Sequence, residues 1–112
     1  MQPALIRTEK HGDVSVIVTS GELDLSVSAQ LADQIAAAGD DPAVVSLVDC
    51  TYLDSTILTV LVQLTKSREG RVTVVLPPTH RLRRIFEIAN VNAILTVVPS
   101  LDEALALAAH AH

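Results

Sequence analysis

Residues 44–64, VVSLVDCTYLDSTILTVLVQL, contain a change of pattern that decides the fold class. Residues 44–48 form an apolar run rich in β-branched valine and interrupted only by Ser46, which predicts a strand covered on both faces and therefore central in a sheet. Over residues 55–67 the apolar side chains recur at helical spacing, and Gly70 supplies a stop signal. The stretch predicts a buried strand that leads directly into an amphipathic helix.

The segment at the N-terminus predicts a hairpin. Residues 5–9 and 14–18 read as two short strands, and Gly12 between them suits a tight turn because glycine adopts left-handed backbone angles without strain. Residues 21–24, Gly-Glu-Leu-Asp, end the second strand. We therefore expect antiparallel pairing at the start of the chain.

A first helix is predicted after this hairpin. Ser26 or Ser28 is expected to cap it, since serine is a preferred N-cap residue. The apolar positions Leu31, Ile35 and Ala38 then recur at helical spacing and predict a buried face.

The second half of the chain continues to alternate strands with helices. Strands are predicted over residues 72–76 and 95–98, and a helix over residues 81–89. Pro99-Ser100 and Asp102-Glu103 are expected to start a terminal helix that residues 104–109 continue. Consecutive strands joined through helices pair in parallel by right-handed crossovers. The prediction is an α/β fold with a mixed sheet, an N-terminal hairpin followed by βαβαβα, with about four helices packed on it in a single domain over residues 1–112.

Composition and charge exclude several classes of function. The 112-residue chain is 49% apolar but only 2% aromatic, and its net charge is −5. Nucleic-acid binding is not expected, because neutralising phosphates requires clustered Lys and Arg. Membrane insertion is not expected either, because charged residues interrupt every long apolar run. Cys50 is the single cysteine and cannot form an internal disulfide, so we expect the reducing cytoplasm as the compartment.

The Asp54-Ser55-Thr56 junction between strand and helix has a structural interpretation. Ser55 is expected at or next to the N-cap, where its hydroxyl accepts a bond from a free helical N–H. Asp54 would favour the positive end of the helix dipole. A cap of this kind requires no further function.

The junction also has an enzymatic interpretation. Asp24, Asp49 and Asp54 all end or follow strands and could converge at one edge of the sheet. Asp49 as a phosphoryl acceptor or Mg²⁺ ligand is disfavoured, because no second carboxylate follows two residues later. Cys50 is interpreted as a buried core residue. The scattered histidines indicate no metal site; they are His11, His80, His110 and His112.

With these elements placed, the chain resembles the STAS family, most closely the single-domain bacterial anti-sigma factor antagonists. The resemblance is carried by Gly21-Glu22-Leu23-Asp24, by residues 44–49 leading through Tyr52-Leu53 into Asp54-Ser55-Thr56 and Leu58, and by residues 81–91. It covers nearly the whole chain.

The resemblance implies a regulatory role without catalysis or cofactor. In this family the hydroxyl residue after the motif's Asp is phosphorylated by a partner that is both the anti-sigma factor and an ATP-dependent serine kinase. That residue matches Ser55, and Thr56 is a secondary candidate. Asp24 and Asp54 match acids near the modified hydroxyl. The implied protein is cytoplasmic, monomeric or weakly dimeric, and takes part in stress-responsive transcription through a sigma factor.

Ile57 departs from the family pattern. The family usually has Gly at this position, and a β-branched side chain in the first helical turn is expected to fill the surface that a partner approaches. Ile57 therefore favours an alternative function, that of an accessory STAS subunit regulating a membrane lipid or anion transporter.

Overall fold

The computed structural model describes residues 3–109 and contains the predicted succession of strands and helices. The strands are β1 (Leu5–His11), β2 (Val14–Leu23), β3 (Ala43–Leu53), β4 (Val72–Val75) and β5 (Thr96–Val98). The helices are α1 (Ser28–Ala36), α2 (Ser55–Ser67), α3 (Leu82–Ile88) and α4 (Leu101–Ala109), with 3-10 turns at Leu25–Val27 and Val91–Ala93. No helix within residues 3–109 is long and apolar enough to cross a bilayer.

The strands form one mixed sheet in the order β1-β2-β3-β4-β5. β1 pairs with β2 in antiparallel orientation, whereas β2, β3, β4 and β5 pair in parallel. β3 lies in the middle of the sheet, as its largely apolar run predicts. The predicted mixed-sheet α/β fold class is confirmed.

The β1–β2 hairpin closes through Gly12 and Asp13. His11 pairs with Val14 across the turn, and Gly12 has a φ of 63°, in the left-handed region. Because only glycine adopts this conformation without steric cost, the turn is specified by its sequence. The turn lies at the end of β2 opposite the junctions that lead into the helices.

Helices cover the two faces of the sheet unequally. The larger cluster of buried side chains joins one face to α1, α2 and α3, with Ile35, Leu61 and Phe86 fully buried. The smaller cluster joins the other face to α4 through Val16, Val44 and Ala104 among others. The alternation of side chains along β3 supplies both clusters, so this strand is the centre of the fold.

The predicted serine caps of α1 are wrong. Asp24 is the N-cap residue of the preceding 3-10 turn, and its carboxylate accepts a hydrogen bond from the Ser26 N–H. The residue before α1, Val27, makes no side-chain capping bond. Ser28 instead donates its hydroxyl to the carbonyl oxygen of Leu25, at 2.9 Å. The extra 3-10 turn shifts the start of the helix and gives the cap to a residue further upstream. The predicted buried positions Leu31, Ile35 and Ala38 are confirmed.

Candidate functional site

The ends of β2 and β3 bring two parts of the chain together. Leu23 and Leu53 pair as the last residues of these parallel strands. Immediately beyond them, the Asp54 N–H donates to the Leu23 carbonyl oxygen at 3.2 Å. The junction that begins α2 therefore lies against the turn that follows β2, at the carboxyl edge of the sheet.

Asp54 caps α2 and also holds this neighbouring turn. Its Oδ1 accepts the N–H of Ile57 at 3.1 Å, which satisfies a free donor in the first turn of the helix. Its Oδ2 accepts the N–H of Leu25 at 3.1 Å. One carboxylate thus joins the start of α2 to the 3-10 turn.

Ser55 is the first residue of α2, and its side chain is exposed. The prediction that Ser55 itself accepts a capping bond is wrong, because Asp54 occupies the cap position. The Ser55 hydroxyl takes no part in the hydrogen bonds found among residues 3–109, whereas its carbonyl oxygen accepts a bond from the Thr59 hydroxyl at 2.9 Å. Thr56 is half-buried. Ser55 therefore presents the more accessible of the two hydroxyl groups.

Asp24 lies beside this junction on the 3-10 turn. Its Oδ1 accepts the hydroxyl of Ser26 at 2.5 Å and the backbone N–H of Ser26 at 3.0 Å. The bond from the Ser26 hydroxyl, followed by the bond from the backbone N–H, lowers the pKa of the Asp24 carboxyl below its ordinary value. Within the described part of the chain, no cation forms a salt bridge with Asp24 or Asp54. The surface around Ser55 therefore has negative charge that is not balanced by an ion pair.

Ile57 does not occupy the surface at which we expected it. Its side chain is 0% exposed and packs in the larger core cluster. The position falls on the inward side of α2, because the helix begins at Ser55 and turns its third residue toward the sheet. The expectation that this side chain meets a partner is wrong. Asp24, Asp54 and Ser55 remain as the group that the fold brings together.

Asp49 is separate from the other two acids. Asp49 lies within β3, opposite Ser20 of β2. It precedes Asp54 by five residues, which corresponds to about 16 Å along an extended strand. The convergence of three carboxylates is therefore wrong for Asp49. No group of three or more potential metal-ligating side chains is present among residues 3–109. His110 and His112 lie outside the described residues.

Cys50 is a buried residue, as predicted. It is 1% exposed, and its thiol donates to the Tyr52 carbonyl oxygen at 3.1 Å. Burial raises the pKa of the Cys50 thiol, with smaller opposing effects from backbone hydrogen bonds and from the positive charge of Arg81. The sequence analysis did not predict a cation near this thiol.

Two side chains from the residues just before α3 reach β3 and were not predicted. Arg81 donates to the Thr51 carbonyl oxygen at 2.6 Å. A ring nitrogen of His80, Nε2, lies 3.2 Å from the Val48 carbonyl oxygen. Both contacts join residues at least thirty positions apart, so no local pattern in the sequence could have indicated them.

Comparison with known proteins places this chain in a family. The family model described as "Mlab, STAS domain" matches residues 6–99. A search of the curated proteins finds no match. The anti-sigma factor antagonist from Mycobacterium paratuberculosis is 27% identical, with 96% of this chain and 95% of that chain covered and a TM-score of 0.83.

Two further solved structures share the fold at lower identity. The Thermotoga maritima protein TM1081 is 19% identical, with 93% of this chain and 94% of that chain covered and a TM-score of 0.78. The unphosphorylated anti-sigma factor antagonist SpoIIAA of Bacillus is 16% identical, with 96% of this chain and 100% of that chain covered and a TM-score of 0.69. The family model spans most of the sequence, and these structures match over nearly all of it. The chain therefore belongs to the STAS domain family.

Proposed function

We propose that this protein is an anti-sigma factor antagonist of the cytoplasm whose binding is controlled at Ser55. In its unphosphorylated form it binds an anti-sigma factor that is also an ATP-dependent serine kinase, and the sigma factor is released. Phosphorylation of Ser55 ends this binding. The observation that carries the proposal is the exposed Ser55 side chain at the first position of α2, beside the Asp54 carboxylate.

The charge at this position explains how one phosphate ends binding without unfolding the protein. Phosphorylation adds about −1.5 to −2 charges. An exposed helix N-terminus favours an anion by about 0.3–1 kcal/mol. A partner interface closed over the same phosphate and Asp54 would bury like charges together, which costs several kcal/mol. The fold therefore tolerates the phosphate, whereas the complex does not.

Thr56 is the weaker candidate for modification. Its side chain is half-buried, whereas that of Ser55 is exposed. A kinase must reach the hydroxyl oxygen directly, so we assign the phosphate to Ser55. ATP and Mg²⁺ belong to the kinase in this proposal.

The proposal is tested with purified protein and candidate anti-sigma factors that carry a serine kinase domain. Complex formation is measured without ATP, and phosphate incorporation is then measured by mass spectrometry after ATP is added. We expect a stable complex, a gain of one phosphate on Ser55, and dissociation. Ser55→Ala should bind but not dissociate, and Thr56→Ala should behave as the wild type. Failure to bind any such kinase, together with no phosphate on Ser55, would reject the proposal.

The same binding experiments can distinguish the alternative function, that of an accessory subunit of a membrane transporter. It was favoured by Ile57 as a surface residue, and that side chain is buried. Co-purification with a membrane ATPase or a transport domain, and no complex with the kinases, would support it. The enzymatic alternative would require metal-dependent phosphate release that Asp49→Asn abolishes.

A further inference from the structure

Leu25 is an exposed apolar residue that is connected to the Ser55 site by a long-range hydrogen bond. It is 68% exposed and begins the 3-10 turn Leu25–Val27. Its N–H donates to Oδ2 of Asp54, 29 residues later in the chain. Ile88, on α3, is 75% exposed, and single exposed apolar side chains of this kind are common. The informative feature of Leu25 is therefore its attachment to the residue that precedes Ser55.

The backbone of the turn that carries Leu25 is fixed by acceptors on two residues. The Leu25 N–H donates to Asp54 Oδ2 at 3.1 Å, and the Ser26 N–H donates to Asp24 Oδ1 at 3.0 Å. The Val27 N–H donates to the Asp24 carbonyl oxygen at 3.1 Å. A side chain on a backbone that is already ordered loses less conformational freedom on binding. Leu25 is therefore presented in a form ready for a partner.

We infer that Leu25 is the apolar anchor of the partner-binding surface and that Asp54 positions it; this inference rests on the proposed function. The occupant is a protein surface with an apolar pocket bordered by Arg or Lys side chains. Charge complementarity supports this chemistry, because Asp24 and Asp54 border Leu25 and neither has a salt bridge among residues 3–109. An apolar centre with a charged rim is the usual arrangement of a protein interface.

The same carboxylate couples Leu25 to phosphorylation. A phosphate on Ser55 would repel the adjacent Asp54 carboxylate and compete with it for the N–H groups at the start of α2. Asp54 accepts from Ile57 and Leu25 through different oxygens. Displacement of this carboxylate would therefore remove the acceptor of the Leu25 N–H. Phosphorylation then adds charge to the interface and also releases the backbone that presents its anchor.

The first test measures affinity for the anti-sigma factor kinase without ATP. Leu25→Ala should weaken binding by about tenfold or more, as expected for truncation of an interface anchor. Ile88→Ala removes a similarly exposed apolar side chain from α3. It should change affinity by less than about twofold, since most contacts outside an anchor contribute little. Sedimentation of both variants alone shows whether a second copy of the chain is the true occupant.

The second test follows the backbone N–H of Leu25 in the free protein by NMR hydrogen exchange. Asp54→Asn can keep an oxygen for Ile57 but places an NH₂ donor toward Leu25. Its Leu25 exchange rate should rise about fivefold or more, as for loss of one hydrogen bond. Ser55→Glu should also raise the exchange rate of the Leu25 N–H. Asp33→Asn, on the exposed side of α1, should leave it unchanged.

These outcomes separate the inference from the proposed function. If Leu25→Ala binds the kinase with the affinity of the wild type, the inference is overturned and the proposed function is left intact. The inference is also overturned if Leu25→Ala loses self-association while its affinity for the kinase is unchanged. If the exchange rate of the Leu25 N–H is the same in Asp54→Asn as in the wild type, the positioning role of Asp54 is overturned. A wild-type protein that binds no kinase would remove the proposed function and the inference with it.

Discussion

Replacing Ile57 with glycine tests the packing of α2 at the position where the family pattern usually has glycine. Ile57 is 0% exposed and belongs to the larger core cluster, between the sheet and helices α1, α2 and α3. Truncating a buried isoleucine to alanine costs about 2–5 kcal/mol. Removing the last methyl group from a helical position costs a further 0.5–1 kcal/mol or so. Ile57→Gly should therefore lower the free energy of unfolding by about 2.5–6 kcal/mol.

The measurement is equilibrium unfolding in urea followed by circular dichroism. With a urea m-value of about 1.5 kcal/mol per molar, the midpoint should fall by about 2 M or more. The matched control is Thr59→Gly, an exposed position on the same helix, which should lower the free energy of unfolding by about 0.5 kcal/mol. Equal midpoints for the two variants would refute the inward orientation of Ile57. Because the side chain points inward, the glycine variant should not bind a partner more tightly than wild type.

Four further predictions concern the junction and its neighbours. Asp54→Ala should lower the free energy of unfolding by about 1–2 kcal/mol through loss of the N-cap, whereas Ser55→Ala should change it by about 0.5 kcal/mol or less in urea unfolding. The reverse order would contradict the capping role. Ser55→Glu should weaken kinase binding while calorimetry shows a melting temperature within about 4 °C of wild type; a larger drop would indicate a buried site. Cys50 should react slowly with a thiol reagent in the native protein and rapidly in urea, because burial raises its pKa; equal rates would contradict its burial. The Asp24 carboxyl should titrate below its ordinary pKa by NMR, and Ser26→Ala should move it back upward, because the Ser26 hydroxyl is the largest cause of the shift; an unchanged titration would contradict this assignment.

The sequence pattern predicted the order of strands and helices because periodicity reports which faces are buried. It predicted only residues 44–48 of β3, whereas the strand continues to Leu53. The pairing of β3 with β2 shifts register between Val18 and Ser20 and again between Gly21 and Glu22. The part of the strand after Val48 includes the exposed residues Asp49 and Tyr52, so hydrophobicity alone marked the strand as shorter than it is.

The candidate site was predicted in position but not in detail. Asp and Ser have nearly equal preference for the N-cap position, so local chemistry did not decide between Asp54 and Ser55. The decision follows from the neighbouring turn, where a carboxylate accepts from Leu25 and Ile57 at once. The contribution of Leu25 could not be predicted, since it depends on a contact between residues distant in sequence.

The β1–β2 turn offers a place for a spectroscopic reporter. Ten residues of β2 separate it from the turn that carries Leu25, or about 30 Å of extended chain, in a molecule whose longest dimension is 37 Å. A dye or surface tether joined to Asp13 would extend into solvent from the far end of the sheet. Fluorescence or immobilisation assays could then follow docking at Ser55 while the label stays clear of the partner.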